Sequence, residues 1–118
     1  MRQCRTLRIV RVFITKTYER AISKLLQEAE RRAMEAAIAA DPGGAPMIRA
    51  TGGVRKIRWG RAGRGKRGGI RTIYLYQPRD GAIYLLTAYA KSDRQDLSAA
   101  DRKALSWLVA RIREEEVK

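Results

Sequence analysis

The sequence predicts a small α+β domain: an antiparallel β-sheet with an N-terminal helix (or helices) and a C-terminal helix. Three observations predict it. Segments of strand and helix character follow one another in the order β-α-β-β-β-α. The last three strand segments are joined by connections too short for crossover helices, which implies an antiparallel meander. The 118 residues, 45% apolar, suffice for one core that buries roughly 65% of the unfolded chain's surface without metal or disulfide staples. No internal repeat is present, so residues 1–118 are read as a single domain.

Leu7 to Thr15 (LRIVRVFIT) is rich in β-branched residues and predicts the first strand. From about Thr17 the period changes. Ile22, Leu25, Leu26, Ala29 and Ala33 recur at helical spacing until Asp41-Pro42-Gly43-Gly44 stops the helix. Its polar face mixes Glu28, Glu30 and Glu35 with Arg20, Lys24, Arg31 and Arg32. Mixed signs point to a solvated face over a packed stripe rather than to a membrane-surface helix.

Three strands are predicted next: Gly53 to Trp59, Gly69 to Gln77 and Ala82 to Tyr89, the last two joined by the turn Pro78-Arg79-Asp80-Gly81. The two later strands are apolar on both faces, which makes them central and covered on each side. Tyr74, Tyr76 and Tyr84 lie in these strands and are expected in the core. Ser98-x-x-Asp101 resembles a capping box and opens a last helix with the stripe Leu105, Leu108, Val109 and Ile112. Trp107 lies off that stripe. Glu114 to Glu116 oppose the negative end of the helix dipole, so a frayed end is expected.

The chain has 26 Lys and Arg against 12 Asp and Glu, a formal charge of +14. Between Met47 and Pro78 there is no acid, while nine Arg and Lys residues fall there. Like charge concentrated in this way repels itself, and a nucleic acid partner would offset that cost. Strand parity puts Lys56 and Arg58 on one face, roughly 7 Å apart, with Arg55 and Trp59 on the other. Two such cations suit a phosphodiester and its neighbour. Charge on an edge strand also blocks edge-to-edge pairing, so both readings stand for this segment.

Gly60 to Gly69 (GRAGRGKRGG) contains G-x-x-x-x-G-K but is not a phosphate-binding loop of the Walker type. Arg67 stands where Ser or Thr must ligate Mg²⁺, and a strand rather than a helix follows. A basic hairpin loop is expected instead, with Arg64, Lys66 and Arg67 facing phosphates. Tyr89, two residues before Lys91, is placed to reach the same groove and stack a base.

The sequence contains no His, and Cys4 is the only cysteine. Zinc sites built on His and Cys, Cys-x-x-Cys redox pairs and nucleophiles activated by imidazole are excluded. No metal or cofactor is expected. A single thiol fits a reducing compartment. Arg5, Arg8 and Arg11 interrupt the apolar residues near Met1, and no run reaches the ~18 apolar residues that span a bilayer, so a cytoplasmic location is expected.

TGGVRKIRWGRAGRGKRGGIRTIYLYQ followed by YLLTAYAKSDRQDLSAADRKAL resembles the RelE/HigB toxins of bacterial type II toxin-antitoxin modules, in particular the HigB-like branch of the RelE/ParE superfamily. The likeness is specific from Thr51 to about Leu105 and loose before it. It implies a RelE-like, microbial-ribonuclease-like fold: a small curved antiparallel sheet with helices on one side. It also implies a ribosome-dependent endoribonuclease that cuts mRNA in the A site and is silenced by a HigA-like helix-turn-helix antitoxin. By position, Lys56, Arg58 and Arg71 match the family's basic active-site residues, and Lys91 falls near those that follow the fourth strand. Ser92 stands where relatives carry arginine, and no tyrosine follows Tyr89.

The implied chemistry is metal-free attack of a 2'-hydroxyl on the adjacent phosphate. Lys56 is the candidate base, activated by neighbouring cations. Arg58 and Arg71 are candidates to clamp the phosphorane, and Lys91, or Arg71, to protonate the leaving oxygen. Arg55, Arg64, Lys66, Arg67, Tyr89 and Arg94 are the candidate RNA contacts. Two alternatives stay open: a ParE-like toxin that acts on gyrase, and a non-catalytic RNA- or ribosome-binding protein.

Overall fold

The computed structural model describes residues 10–61, 65–92 and 96–117. Its elements run β1 (Arg11–Ile14), α1 (Lys16–Leu25), α2 (Glu28–Ala40), β2 (Val54–Arg61), β3 (Gly65–Gln77), β4 (Ala82–Ala90) and α3 (Ala99–Val117). The strands form one sheet in the order β1-β4-β3-β2. β2, β3 and β4 make the expected meander, but β1 lies parallel to β4, with Phe13 beside Tyr84. The sheet is therefore mixed, and α1 and α2 carry the chain from β1 at one edge to β2 at the other, from which the meander returns to β4 beside β1. Phe13 and Tyr84 stack with ring centroids 4.9 Å apart. No helix among the described residues is long and apolar enough to cross a membrane.

The single long helix predicted from Thr17 to Ala40 is two helices. Thr15 caps α1 by accepting the Tyr18 N–H at 3.1 Å, and it donates to the Leu85 carbonyl at 2.9 Å. Leu26 and Gln27 then take extended backbone angles, with the Leu26 N–H closing α1 on Ile22. Neither Gly nor Pro marks this break, because burial of Leu26 makes the corner. Past it the buried residues are Met34 and Ile38, while Ala29 and Ala33 face solvent. Arg31 ties the two helices together through Glu19 at 2.6 Å and Glu35 at 2.9 Å, and Tyr18 donates to Glu35 at 2.7 Å.

Helices cover both faces of the sheet, not one. Tyr18, Ile22, Met34 and Ile38 of α1 and α2 pack on Ile70, Tyr74, Ile83 and Leu85. Leu105 and Val109 of α3 pack on Val54, Ile73, Leu75 and Leu86 from the opposite side. This follows from β3 and β4 being apolar on both faces. Tyr74 is fully buried, and Tyr76 and Tyr84 are partly buried against the two cores, as expected. The capping box at Ser98 and Asp101 is made by reciprocal bonds of 3.1 and 3.0 Å. α3 runs from Ala99 to Val117, so Glu114 and Glu115 fall in its last turn.

Thr51-Gly52-Gly53 sets where β2 begins. The buried Thr51 hydroxyl donates to Ile48 O at 2.6 Å and accepts the Val54 N–H at 3.1 Å. Gly52 and Gly53 take φ of 84° and 116°, values that favour glycine. β3 starts at Gly65, earlier than predicted, so part of the basic loop is strand backbone and no helix follows the G-x-x-x-x-G-K segment.

Candidate functional site

Register builds the site. Arg58 of β2 lies directly opposite Arg71 of β3, and Arg71 directly opposite Tyr89 of β4. Cβ atoms of such cross-strand neighbours are about 5 Å apart. Lys56, two residues before Arg58, falls on the same face, and Arg55 and Trp59 fall on the other, as parity predicts. α3 covers this face around Ile73 and Leu75 but leaves the Arg58 and Arg71 end open. There a cleft of about 400 Å³ is lined by Arg58, Trp59, Gly60, Gly69, Arg71 and Lys91. The Lys91 N–H bonded to Gly69 O at 3.1 Å fixes the end of β4 against β3.

The electrostatics of the cleft are one-sided. Arg71 is 5% exposed, and its guanidinium donates to the Ile70 carbonyl at 3.3 Å. Among the described residues, no acid pairs with Arg58, Arg71 or Lys91. Like charges directly opposite on neighbouring strands are destabilising, and burying one of them raises that cost. An arrangement of this kind presents several N–H donors to one anion, and a planar guanidinium grips two oxygens at once.

Lys56 differs from expectation in its company. Its ammonium lies 3.5 Å from Asp96, whose other oxygen lies 3.5 Å from Arg102. The Leu97 N–H, bonded to this carboxylate at 2.8 Å, is the main cause holding Asp96 below the usual carboxylate range, with Lys56 and Arg102 adding to it. Crowding by cations was the reason to read Lys56 as a base. Its near neighbour is an acid instead. Asp96 is a site residue that sequence reasoning misses; its place two residues before the capping box at Ser98 is the one signal of it.

Arg55 and Tyr89 also take other roles. Arg55 donates to the carbonyls of Ala45 at 2.6 Å and Gly43 at 3.2 Å, so it fastens the loop after α2. Tyr74 donates to Pro42 O at 2.8 Å and fastens the same loop. Burial holds the Tyr74 hydroxyl above the ordinary tyrosine range. Tyr89 faces the site side but is only 8% exposed and packs with Leu97 and Leu105, so no base stacks on it in this conformation. The Arg64 and Arg94 positions lie outside the described residues, as do the side chains of Lys66 and Arg67. Among the described residues, no three His, Cys, Asp or Glu side chains are placed to hold a metal ion.

Comparison with known proteins gives a consistent picture. The family model described as the RelE toxin of the RelE/RelB toxin-antitoxin system matches residues 10–117. Among solved structures, the chain is similar to a double arginine mutant of the E. coli toxin RelE in the free state. That likeness has 13% identity, a TM-score of 0.50, and coverage of 73% of this chain and 87% of that one. The isolated E. coli RelE toxin aligns at 14% identity with a TM-score of 0.49, over 85% and 99% of the two chains. The first of these likenesses is one of fold, and it agrees with three helices on a four-stranded mixed sheet.

Proposed function

The chain belongs to the RelE family of toxins of RelE/RelB toxin-antitoxin systems, and from this premise we propose that it is a ribosome-dependent, metal-independent mRNA endoribonuclease. It acts in the cytoplasm as a HigB-like toxin, inhibits translation by cutting mRNA in the A site, and is neutralised by a HigA-like antitoxin. The observation that carries this reading is the facing pair Arg58 and Arg71 beside Lys91, in a cleft with no acid among the described residues. An RNA phosphate supplies the charge this cleft lacks.

In the proposed mechanism the 2'-hydroxyl attacks the adjacent phosphorus, a 2',3'-cyclic phosphate forms and the 5'-oxygen leaves. Arg58 and Arg71 hold the non-bridging oxygens as charge develops on them, and removal of one such donor typically costs about 10²- to 10³-fold in rate. Lys91, at the rim of the cleft, protonates the leaving oxygen. Lys56, on the same face as Arg58 and paired with Asp96, stabilises the attacking oxygen as the 2'-hydroxyl proton passes to solvent. The ribosome's orientation of the mRNA supplies the rest of the rate. A ParE-like action on gyrase would leave the density of cations in this cleft without a use.

Mapping transcript 5' ends after brief expression tests the reading. Wild type is expected to produce new ends within coding sequence, and Lys56→Ala to reduce them about 10²-fold. Equal cleavage by the variant would overturn the catalytic assignment. A binding protein without chemistry would instead produce no new ends and lose RNA affinity in proportion to the charges removed, with a shallower salt dependence for each.

A further inference from the structure

The cations of the α3 face do not end at the cleft. Lys56 stands two residues from Arg58 on the same face of β2, about 7 Å away, close to the step from one phosphate to the next along a nucleotide chain. Beside Lys56 the chain enters α3, and there a further cation, Arg102, meets it across the Asp96 carboxylate. One carboxylate oxygen lies 3.5 Å from the Lys56 ammonium and accepts the Leu97 N–H at 2.8 Å, while the other lies 3.5 Å from the Arg102 guanidinium. An anion is thus already seated between the two cations, and it belongs to the protein itself.

The seat is loosely filled. Charge-assisted hydrogen bonds measure about 2.7–2.9 Å, and neither cation comes that close; the one short bond is to backbone. The Asp96 side chain is 54% exposed, and pairs held this way in contact with water are weak. Two cations against one carboxylate leave a positive excess, and the Arg102 Nε is buried with no hydrogen-bond partner among the described residues. Asp101, the next acid along the chain, is taken up by the Ser98 N–H at 3.0 Å. Beside Arg102 an open space of about 340 Å³ is lined by Ala50, Ala99, Arg102, Lys103 and Ser106, none of them acidic, so a nucleotide chain passing Arg102 has room to continue.

We propose that Asp96 is a built-in competitor: its carboxylate fills a second phosphate site, formed by Lys56, Arg102 and the Leu97 N–H, from which the phosphate adjoining the one in the cleft displaces it. The inference rests on the proposed RNA reading of the cleft and adds the start of α3 to the surface that holds the strand. A phosphate has more oxygens than a carboxylate and can meet both cations at hydrogen-bonding distance, which Asp96 at 3.5 Å from each does not. The exchange keeps an anion beside Lys56 and requires only a turn of the half-exposed Asp96 side chain toward solvent. Two neighbouring phosphates held at once also orient the ribose between them. Asp96 therefore sets a threshold: a ligand with one phosphate fills the cleft alone, and a strand that reaches Arg102 gains the second site.

NMR titrations of the full chain with two uncleavable 2'-O-methyl dinucleotides test it: UpU, with one phosphate, and the same molecule carrying a 5'-phosphate. The 5'-phosphate is expected to tighten binding to wild type about fivefold, the most that a charge pair open to water supplies. Asp96→Asn keeps an acceptor for the Leu97 N–H and removes the competing charge, and is expected to widen that ratio about threefold further. A gain of this kind cannot come from damage to the fold. Arg102→Gln is expected to bring the ratio within about twofold of unity, alone and combined with Asp96→Asn. The same ratio in wild type and all variants overturns the second site. If UpU binds and Arg58→Gln weakens it, but the 5'-phosphate adds nothing in wild type or Asp96→Asn, the second site falls and the cleft stands. If the 5'-phosphate adds affinity through Arg102 while Arg58→Gln changes nothing, the second site stands and the cleft falls. Binding of neither dinucleotide overturns both.

Discussion

Removing the charge of Arg58 should make the protein more stable and less active at once. Arg58 and Arg71 face each other across β2 and β3, with Cβ atoms about 5 Å apart. With Arg58 exposed, the effective dielectric is near that of water, and two unit charges about 6 Å apart repel by about 0.7 kcal/mol. Measured cross-strand pairs fall at or below about 1 kcal/mol, so about 0.5 kcal/mol is the expected relief in Arg58→Gln, which keeps the stem and polar tip. Unfolding entropy of about 2.1 cal/mol/K per residue over 118 residues converts this to a Tm rise of about 2 °C. At about 1 M salt, with a Debye length near 3 Å, the rise should vanish. RNA cleavage should fall about 10²-fold in the same variant. Calorimetric melts at low and high salt, beside a cleavage assay, read both effects. A lower Tm at low salt would mean that Arg58 makes a stabilising contact rather than suffering repulsion. Unchanged cleavage would remove it from the phosphate clamp.

Tyr18→Phe removes a hydrogen bond of 2.7 Å from a buried ring to the Glu35 carboxylate; a loss of about 1.5 kcal/mol, near 6 °C in Tm, is expected from thermal melts. Burial, then Glu35, holds the Tyr18 hydroxyl far above a tyrosine's usual range, so alkaline pH up to 10 should leave its ultraviolet spectrum unionised. Glu19 is held below its ordinary range chiefly by its hydrogen bond from Arg31. A depressed carboxyl stabilises the fold above its unfolded value and loses that contribution as pH falls through the folded one. Stability should therefore drop as pH falls below about 4.5, and Glu19→Gln should flatten that limb in acid melts. Asp96→Asn frees Lys56 from its acid and should raise affinity for single-stranded RNA about threefold at low salt, measured by fluorescence anisotropy; unchanged affinity would show that the pair does not compete with RNA. Gly52→Ala forces a side chain to φ +84° and sets its Cβ 3.3 Å from Val109, and should cost about 1 to 2 kcal/mol in denaturant unfolding.

The sheet was legible because its signals are local. Alternation within Val54 to Trp59 divides Lys56 and Arg58 from Arg55 and Trp59, and the same division holds in three dimensions. The turn at Pro78 to Gly81 and the cap at Ser98 were equally readable, each being a matter of a few bonds between near neighbours. What the residues hid depends on distant partners. The corner at Leu26 carries no Gly or Pro and exists because a leucine finds a core. The pairing of β1 is decided by where two helices return the chain. Lys56 meets Asp96 across 40 residues, and Arg55 is drawn to the carbonyls of the loop after α2. Parity with Lys91 places Tyr89 on the site face but does not reveal the cover over it, which comes from Leu97 and Leu105.

Between Ile73 and Tyr74 the pairing of β3 with β4 shifts by one residue, and Leu86 is the supernumerary one. Tyr84 and Leu86 share the α3 face, and so does Tyr89, although strict alternation from Tyr84 would send Tyr89 to the opposite face. One extra leucine thus changes the phase of the strand midway: its first half is timed to the core beneath Phe13, its second half to the arginines. Regular pairing of the same residues, with Leu86 taken into the ladder, would carry Tyr89, and Lys91 beyond it, through the sheet to the α1 side, whereas excising Leu86 would leave both where they are. The bulge is thus what keeps the toxin's cations on a single surface, although it carries no charge itself.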